Sequence, residues 1–174
     1  MMVFNIRFGF QEEDDKKKII SRQAVRAVIL KSDSVFMIHN NKGDYKFPGG
    51  GIDANEKPIE ALKREVQEET GRFITKIVQK LGEVNERSMD KYDANAIFEH
   101  ISHYYLCEIA DKQGLQQLDE YEWELNFHPV WVALDRAIEQ NECLLQNNTT
   151  ENNHWVRRET AVLKALKKLG DNGR

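Results

Sequence analysis

Three closely spaced glutamates are the residues of this chain whose type and spacing could do chemistry. Glu65, Glu68 and Glu69 stand at positions i, i+3 and i+4, so on a helix their carboxylates share an arc of about 100°. Like charges at this spacing weaken an isolated helix, and a cation would remove the penalty. Hard divalent ions, Mg²⁺ above all, bind carboxylate oxygens together with substrate phosphates. The spacing therefore indicates a metal-dependent phosphate site.

A helix that would carry these glutamates is predicted over residues 58–70. Pro58 suits the first helical turn, where its missing N–H has no helical partner, and Gly71 suits the position after the last turn. A buried face beside the carboxylates is indicated by apolar residues at spacings of three and four, namely Ile59, Leu62 and Val66.

An ordinary solvated acidic helix face, with Arg64 pairing to Glu68, is the alternative interpretation of this stretch. Three consecutive glycines before the helix favour a site instead. Gly49, Gly50 and Gly51 permit positive φ and a close approach of the backbone to a ligand or ion. Packing alone does not account well for a triple glycine followed by such a helix.

The whole stretch resembles the signature of the Nudix hydrolases: Gly, five residues, Glu, seven residues, Arg-Glu-apolar-any-Glu-Glu-any-Gly, and then an apolar residue. Every glycine and charged position is filled at the right spacing, by Gly50, Glu56, Arg64, Glu65, Glu68, Glu69 and Gly71, with Val66 at the internal apolar position. Arg72 departs from the final apolar position, and we expect a local adjustment there. Asn55 and Lys57 also differ from the common residues beside Glu56, which leaves a poorer helix cap.

The resemblance implies an α/β fold, an α/β/α sandwich with a mixed β-sheet, over roughly residues 20–170. A length of 174 residues suits one domain with a sizeable core. We therefore expect a single Nudix hydrolase domain over residues 1–174, with residues 1–20 as an N-terminal extension or edge strand.

The resemblance also implies Mg²⁺-dependent hydrolysis of a phosphoanhydride bond in a nucleoside diphosphate linked to another moiety, with Mn²⁺ able to substitute. Nucleoside triphosphates, dinucleoside polyphosphates, nucleotide sugars, ADP-ribose and capped RNA ends all stay open as substrates. The alternative is a catalytically inactive Nudix-like module that senses a nucleotide. An isomerase on the same fold is a third option, but it needs additional catalytic residues that the sequence does not identify. The complete set of motif glutamates favours the enzyme.

Motif position assigns roles to five residues. Glu65, Glu68 and Glu69 are the expected metal ligands and catalytic carboxylates, joined by the main-chain carbonyl of Gly49. Glu65 is also the alternative general base, because the neighbouring Arg64 can orient it. Most of the rate enhancement is expected from positioning and charge stabilisation.

Residues for substrate binding and for one additional metal-binding carboxylate are also predicted. Gly50 and Arg26 are expected at the substrate, where Arg26 could reach a phosphate, although a strand arginine can equally face solvent or pair with a carboxylate. Relatives often place one more metal-associated carboxylate beyond the motif. In the acidic segment 114–127 the candidates are Glu122 and Glu124, and a solvated loop is the alternative for either.

Composition limits the partners of the chain. With 25 Lys and Arg against 29 Asp and Glu, the net charge is −4 and the pI is near 5.8. A mildly acidic chain is no general binder of nucleic acids or anionic membranes, so we expect neither DNA nor a membrane as partner. The resemblance implies a small nucleotide as the partner. Homodimers are frequent in the family that the chain resembles. Cys107 and Cys143 form no metal-type or disulfide pattern, and no signal peptide or membrane-spanning run is present, which predicts a cytoplasmic protein.

Strands are predicted over residues 3–10, 23–31, 34–39, 73–85, 98–108 and 129–134, and further helices over 136–142 and 155–169. The second and third strands are expected to form a hairpin. His100 and His103 fall on opposite faces of a strand, so they are not expected to bind one ion together.

Four side chains are expected in particular surroundings. The resemblance places Trp131 in the core. Asp135 is expected to cap the helix over 136–142. The last helix is expected to pack on the sheet, with bases such as Arg158 and Lys164 on its polar side.

Overall fold

The computed structural model describes residues 2–9, 17–147 and 152–172. These ranges contain eight strands and four helices. The strands are β1 (Phe4–Gly9), β2 (Lys18–Val28), β3 (Leu30–Lys31), β4 (Ser34–His39), β5 (Tyr45–Lys46), β6 (Ile74–Met89), β7 (Ala96–Ile109) and β8 (His128–Ala133). The helices are α1 (Pro58–Thr70), α2 (Glu120–Glu124), α3 (Leu134–Gln146) and α4 (Val156–Asn172).

Two sheets organise these strands. The larger has the order β1-β6-β7-β2, in which β6 and β7 are antiparallel while β1 and β2 each run parallel to their neighbour. The smaller is centred on β4, which pairs antiparallel with β3, β5 and β8. The predicted mixed sheet is confirmed.

Helices cover both sides of the strands. Side chains on one side, among them Val25 and Ala27, pack with Leu62 and Val66 of α1. A second core joins strand residues such as Val28 to the inner faces of α3 and α4. Alternation of side chains along a strand produces these two cores, because neighbouring residues point to opposite faces. The predicted α/β/α sandwich is therefore confirmed.

Helix α1 has the predicted bounds. Leu62 and Val66 are fully buried, and Gly71 ends the helix in the left-handed region with φ of 69°. Ile59 is 37% exposed, so the buried stripe is shorter than the periodicity predicts.

The predicted hairpin has its turn in the right place, but most of its first strand pairs elsewhere. The chain reverses at Ser32, and Leu30 and Lys31 pair with Val35 and Ser34. However, β2 ends at Val28 and belongs to the other sheet, where it pairs in parallel with β7. The stretch predicted as one strand therefore serves both sheets.

Three expected environments are wrong. Trp131 is 41% exposed, because β8 places it on the face opposite the buried Val132. Asp135 does not cap its helix: α3 already begins at Leu134, which puts Asp135 in the first turn. Arg158 is fully buried, between the carboxylates of Glu86 and Glu159.

Both cysteines, Cys107 and Cys143, are free thiols. Within the described ranges, none of the helices combines the length and apolar character needed to cross a membrane.

Candidate active site

The glycine loop lies along β2 almost as an added strand. Val25 N–H donates to the Gly50 carbonyl at 2.9 Å, and Ala27 N–H donates to the Pro48 carbonyl at 2.8 Å. This close approach requires glycine at position 49, where φ is 139° and a Cβ would lie 2.0 Å from the carbonyl oxygen of Val25.

Gly50 makes room for a carboxylate of α1. A Cβ at this position would lie 2.2 Å from Oε2 of Glu65. The motif glycine and the first motif glutamate of the helix are therefore in direct contact, and a larger residue would displace the carboxylate.

Three carboxylates converge beside this loop. One oxygen each from Glu65, Glu69 and Glu122 lie within 4.8 Å of one another. Burial raises the pKa of Glu122 to about 7, and the charge of Glu69 adds to this rise. The pKa of Glu65 is raised by the same two causes, in the same order. An oxygen-only set of mutually repelling donors fits a hard divalent cation.

Glu122 reaches the cluster because its loop is anchored to the end of α1. Gln116 Nε2 donates to the carbonyl of Glu69 at 2.6 Å, and Gln117 N–H donates to that of Glu68 at 2.8 Å. Asp119 then caps α2 by accepting from the Glu122 N–H at 2.8 Å. This Asp-x-x-Glu spacing is a helix-start signal, and it could have predicted α2 from the sequence.

The other two acidic candidates lie elsewhere. Glu68 pairs with Arg64 at 3.1 Å, and its carboxylate is not part of the cluster. Glu124 is exposed at the end of α2. The structure thus brings together two of the three helix glutamates and one of the two loop candidates.

Arg64 links the loop to the helix. Its Nε and Nη2 atoms each donate to Glu56 at 2.8 Å, its Nη1 donates to Glu65 at 2.7 Å, and Nη2 also donates to the Gly51 carbonyl at 3.2 Å. The hydrogen bonds from Arg64 lower the pKa of Glu56 to about 2. Glu65 is therefore held from the side by a guanidinium that is itself fixed by Glu56.

Two cations contact the Gly49 carbonyl. Arg26 donates to it through Nη1, and Lys46 Nζ lies 3.3 Å from it. Lys46 also pairs with Glu69, whose other oxygen accepts from the Gly49 N–H at 2.9 Å. No sequence pattern indicates this role of Lys46, because the residue stands between two aromatic residues in a short strand.

These groups line an open cleft of about 340 Å³. Its lining includes five basic side chains, namely Arg22, Arg26, Lys46, His100 and His154. Aromatic side chains complete it, namely Tyr121, Phe127 and Trp155. Burial lowers the pKa of both histidines. Sequence patterns identified only Arg26 of this set, since the others are brought together by sheet pairing and by the start of α4.

A second cavity of about 280 Å³ adjoins the cleft. It shares Arg22, His100 and His154 with the cleft and adds the rings of Phe8 and Phe98. By contrast, Tyr104 is fully buried, with its hydroxyl donating to Glu159 at 3.0 Å, and it lines neither cavity.

A family model described as the NUDIX domain matches residues 20–161. The chain belongs to the Nudix family. Arg72, the departure from the Nudix motif, donates to the main-chain carbonyls of Ala110 and Asp111, so the expected local adjustment is a contact with the two residues that follow β7.

Two curated relatives are similar to this Nudix chain in sequence. An RNA pyrophosphohydrolase of Stenotrophomonas maltophilia (strain R551-3) is 31% identical over 137 residues, which cover 77% of this chain and 57% of the relative. A probable DHNTP pyrophosphohydrolase of Lactococcus lactis subsp. cremoris (strain MG1363) is 30% identical over 107 residues, which cover 59% and 64%. The matched region spans less than two thirds of either relative.

The Nudix fold is also found by structural comparison. A crystal structure described as a UDP-X diphosphatase superposes with a TM-score of 0.57 at 16% identity, and covers 93% of this chain and 68% of the other. The likeness concerns the fold.

Proposed function

We propose that this chain is a Nudix-type pyrophosphohydrolase that hydrolyses a phosphoanhydride bond in a nucleoside diphosphate linked to another moiety, with Mg²⁺ as its metal and Mn²⁺ as a substitute. The observation that carries the proposal is the convergence of Glu65, Glu69 and Glu122 beside the glycine loop. Both curated relatives are named pyrophosphohydrolases, which supports the same reaction class.

The residues that would hold the ion are Glu65, Glu69, Glu122 and the carbonyl of Gly49. Glu68, beside Arg64 at the margin of the cluster, is the candidate ligand for a second ion. When bound, divalent ions offset the charge of the diphosphate and lower the pKa of a bound water. The protein contributes orientation, since Arg64 fixes the Glu65 carboxylate against Gly50, where it can also accept a proton as general base.

Local bases would bind the phosphates. The chain is acidic overall, so its cleft needs its own positive charge, and Arg22 and Arg26 line the same cleft as the carboxylates. An arginine guanidinium can donate two hydrogen bonds to one phosphate. We assign both arginines to the diphosphate, which places the phosphates between the glycine loop and these bases.

The moiety attached to the diphosphate would occupy the adjoining cavity. It continues from the cleft through Arg22, and its rings, Phe8 and Phe98, offer surfaces for an aromatic base or the apolar face of a sugar. The guanidinium of Arg157 already lies 4.1 Å from the centre of the Phe8 ring, which leaves Phe98 as the more accessible stacking partner.

The deciding experiment is a panel of nucleoside diphosphate derivatives, incubated with and without Mg²⁺ and analysed by product identity. We expect Mg²⁺-dependent cleavage of at least one member. Glu69→Gln should nearly abolish turnover while the protein stays folded, whereas Glu60→Gln, an exposed change on the same helix, should leave turnover intact.

Near wild-type turnover in Glu69→Gln would overturn the site assignment. Binding without turnover across the whole panel would instead identify a nucleotide-sensing module. The cytoplasmic location, the absence of DNA partners, the homodimer and the single domain over 1–174 stay predictions of the sequence.

A further inference from the structure

Lys46 is a buried cation inside the acidic site. Lys46 is 3% exposed, and its Nζ lies 2.5 Å from Oε1 of Glu69 and 3.3 Å from the carbonyl oxygen of Gly49. The rings of Phe127 and Trp155 lie 4.9 Å and 6.0 Å from the same ammonium group. Oxygen atoms and aromatic faces therefore surround it.

The two oxygens that Lys46 contacts belong to the donor set that the proposed function gives to the metal ion. An ion bound there would sit about 2.1 Å from each oxygen. The ammonium group lies too close to both to remain in place beside such an ion, because two cations would then share the same lone pairs at short range.

Arg26 differs from Lys46 in this respect. It donates to the Gly49 carbonyl, whereas the Glu69 carboxylate is bonded by Lys46 and by the Gly49 N–H and not by Arg26. Its contact can persist on the second lone pair of the carbonyl, whereas Lys46 bridges two of the donors. Of the two bases at Gly49, Lys46 is thus the one that competes with a metal ion.

We propose that Lys46 is a resident counter-ion of the metal site: it holds the Glu69 carboxylate and the Gly49 carbonyl in place until a divalent ion displaces it. The displaced ammonium stays in the cleft that it lines, on a flexible four-carbon stem, and there it binds the diphosphate of the substrate. Metal binding and diphosphate binding strengthen each other as a result. The inference rests on the proposed function for the identity of the metal-binding oxygens.

The first test is the affinity of the full-length, nucleotide-free protein for Mn²⁺, measured by titration calorimetry or by the electron paramagnetic resonance of free Mn²⁺. Lys46→Met should bind Mn²⁺ about tenfold more tightly than wild type, because the competing charge is gone. Lys63→Met removes an equal charge from an exposed position on α1 and should leave the affinity unchanged. Unchanged or weaker binding by Lys46→Met would overturn the proposal.

A second variant covers the case in which Lys46→Met folds poorly. Lys46→Gln keeps hydrogen-bond donors for Glu69 and the carbonyl but removes the charge, so it should also bind Mn²⁺ more tightly. In both variants Mn²⁺ should raise the melting temperature more than it does in wild type. An equal or smaller rise would count against a counter-ion role.

The coupling between metal binding and diphosphate binding is tested by measuring Mn²⁺ affinity in the presence of methylenediphosphonate, a diphosphate analogue that cannot be hydrolysed. This probe should strengthen Mn²⁺ binding more in wild type than in Lys46→Met, and equal strengthening would refute the transfer of Lys46 to the diphosphate. No Mn²⁺ binding by any variant would overturn the metal site together with this inference. If Lys46→Met binds Mn²⁺ more tightly but the wild-type protein turns over no member of the substrate panel, the counter-ion role is upheld and the proposed hydrolase is rejected.

Discussion

Arg64 and Glu56 form a two-point ion pair, in which Nε and Nη2 of the guanidinium each lie 2.8 Å from a different carboxylate oxygen. Glu56 precedes α1 and Arg64 lies within it, so the pair fixes the loop against the helix. The remaining Nη1 of the same guanidinium holds Glu65. One planar group thus sets the geometry of a candidate catalytic carboxylate.

Arg64→Lys should keep the charge and lose this geometry. A lysine ammonium cannot make the paired contacts of a guanidinium, so Glu65 would no longer be held, and kcat should fall about tenfold or more. Steady-state kinetics with excess Mg²⁺ will measure this. Arg136→Lys, an exposed change on α3, provides the control. Equal kcat values in the two variants would show that Glu65 needs no such support.

Glu122 and Glu124 can be separated because only the first reaches the cluster. Glu122→Gln removes a negative charge beside Glu65 and Glu69, so the Mg²⁺ concentration for half-maximal rate should rise about tenfold. Glu124→Gln, two residues away and exposed, should leave it unchanged. The opposite pattern in Mg²⁺ titrations of the two variants would assign the metal to Glu124.

Gly50→Ala should impair activity more than stability. The added methyl would meet the flexible end of Glu65, which can move aside without disturbing the fold. A carboxylate displaced by about 1 Å can lower the rate about 10²-fold. Melting temperature and kcat measured together will show whether the two effects separate. In Gly170→Ala the new methyl meets no atom within 4 Å, and full activity is expected.

The ionised carboxylate of Glu86 should make the free energy of unfolding depend on pH. Burial alone would raise its pKa, but hydrogen bonds and charge from His100 and Arg158 outweigh burial and lower the pKa to about 2. A group whose pKa is lowered on folding stabilises the protein above its unfolded pKa and loses that contribution as the pH falls. Glu86→Gln should therefore cost about 2–3 kcal/mol in the free energy of unfolding at pH 7.

Urea denaturation at several pH values tests this sign. The difference between wild type and Glu86→Gln should shrink as the pH falls from 4.5 towards 2. Glu108→Gln removes the partner of Lys76 in an exposed pair and should cost less than about 1 kcal/mol at any pH. A difference for Glu86→Gln that is constant with pH would contradict the role of its charge.

Phe98→Ala tests the cavity beside the cleft. If the moiety attached to the diphosphate stacks on this ring, its loss should raise KM about fivefold or more, since stacking on a base contributes about 1–3 kcal/mol. The value of kcat should change little, because Phe98 lines the adjoining cavity and not the cleft that holds Glu65, Glu69 and Glu122. Phe73→Ala, a change at an aromatic residue that is 52% exposed, serves as the comparison. Matching KM values would exclude stacking on Phe98.

Local signals explain which parts of the structure the sequence predicted correctly. The bounds of α1 follow from Pro58, Gly71 and an apolar period that all act within one helix. The predicted ranges of β1, β4, β7 and β8 agree with the structure to within two residues for the same reason, whereas β2 begins five residues before the predicted start at residue 23 and β5 is not predicted. The pairing of strands is not local. A hairpin is predicted for the stretch that contains β2, but β2 pairs in parallel with β7, far along the chain.

The sequence predicts the part of the candidate site that lies within one helix, but not the part that distant elements bring together. Glu65 and Glu69 were found through their spacing. Lys46 and His154 are not found in this way, because Lys46 meets Glu69 through the packing of β5 beside α1. His154 enters the cleft from the segment that precedes α4. The exposure of Trp131 and Arg158 is predicted wrongly, because the exposure of a side chain depends on which other helices or strands pack over it.

Strand β1 has a consequence for the behaviour of the protein at high concentration. It occupies the outer edge of the larger sheet, where residues 4–9 pair with residues 82–87 of β6, and it lies before the region that the family model matches. An uncovered edge of this kind is a template on which another chain can add a strand. Removal of residues 1–9 would make the 16-residue strand β6 the edge in place of the six-residue β1, so we expect the shortened protein to self-associate more readily than the full chain.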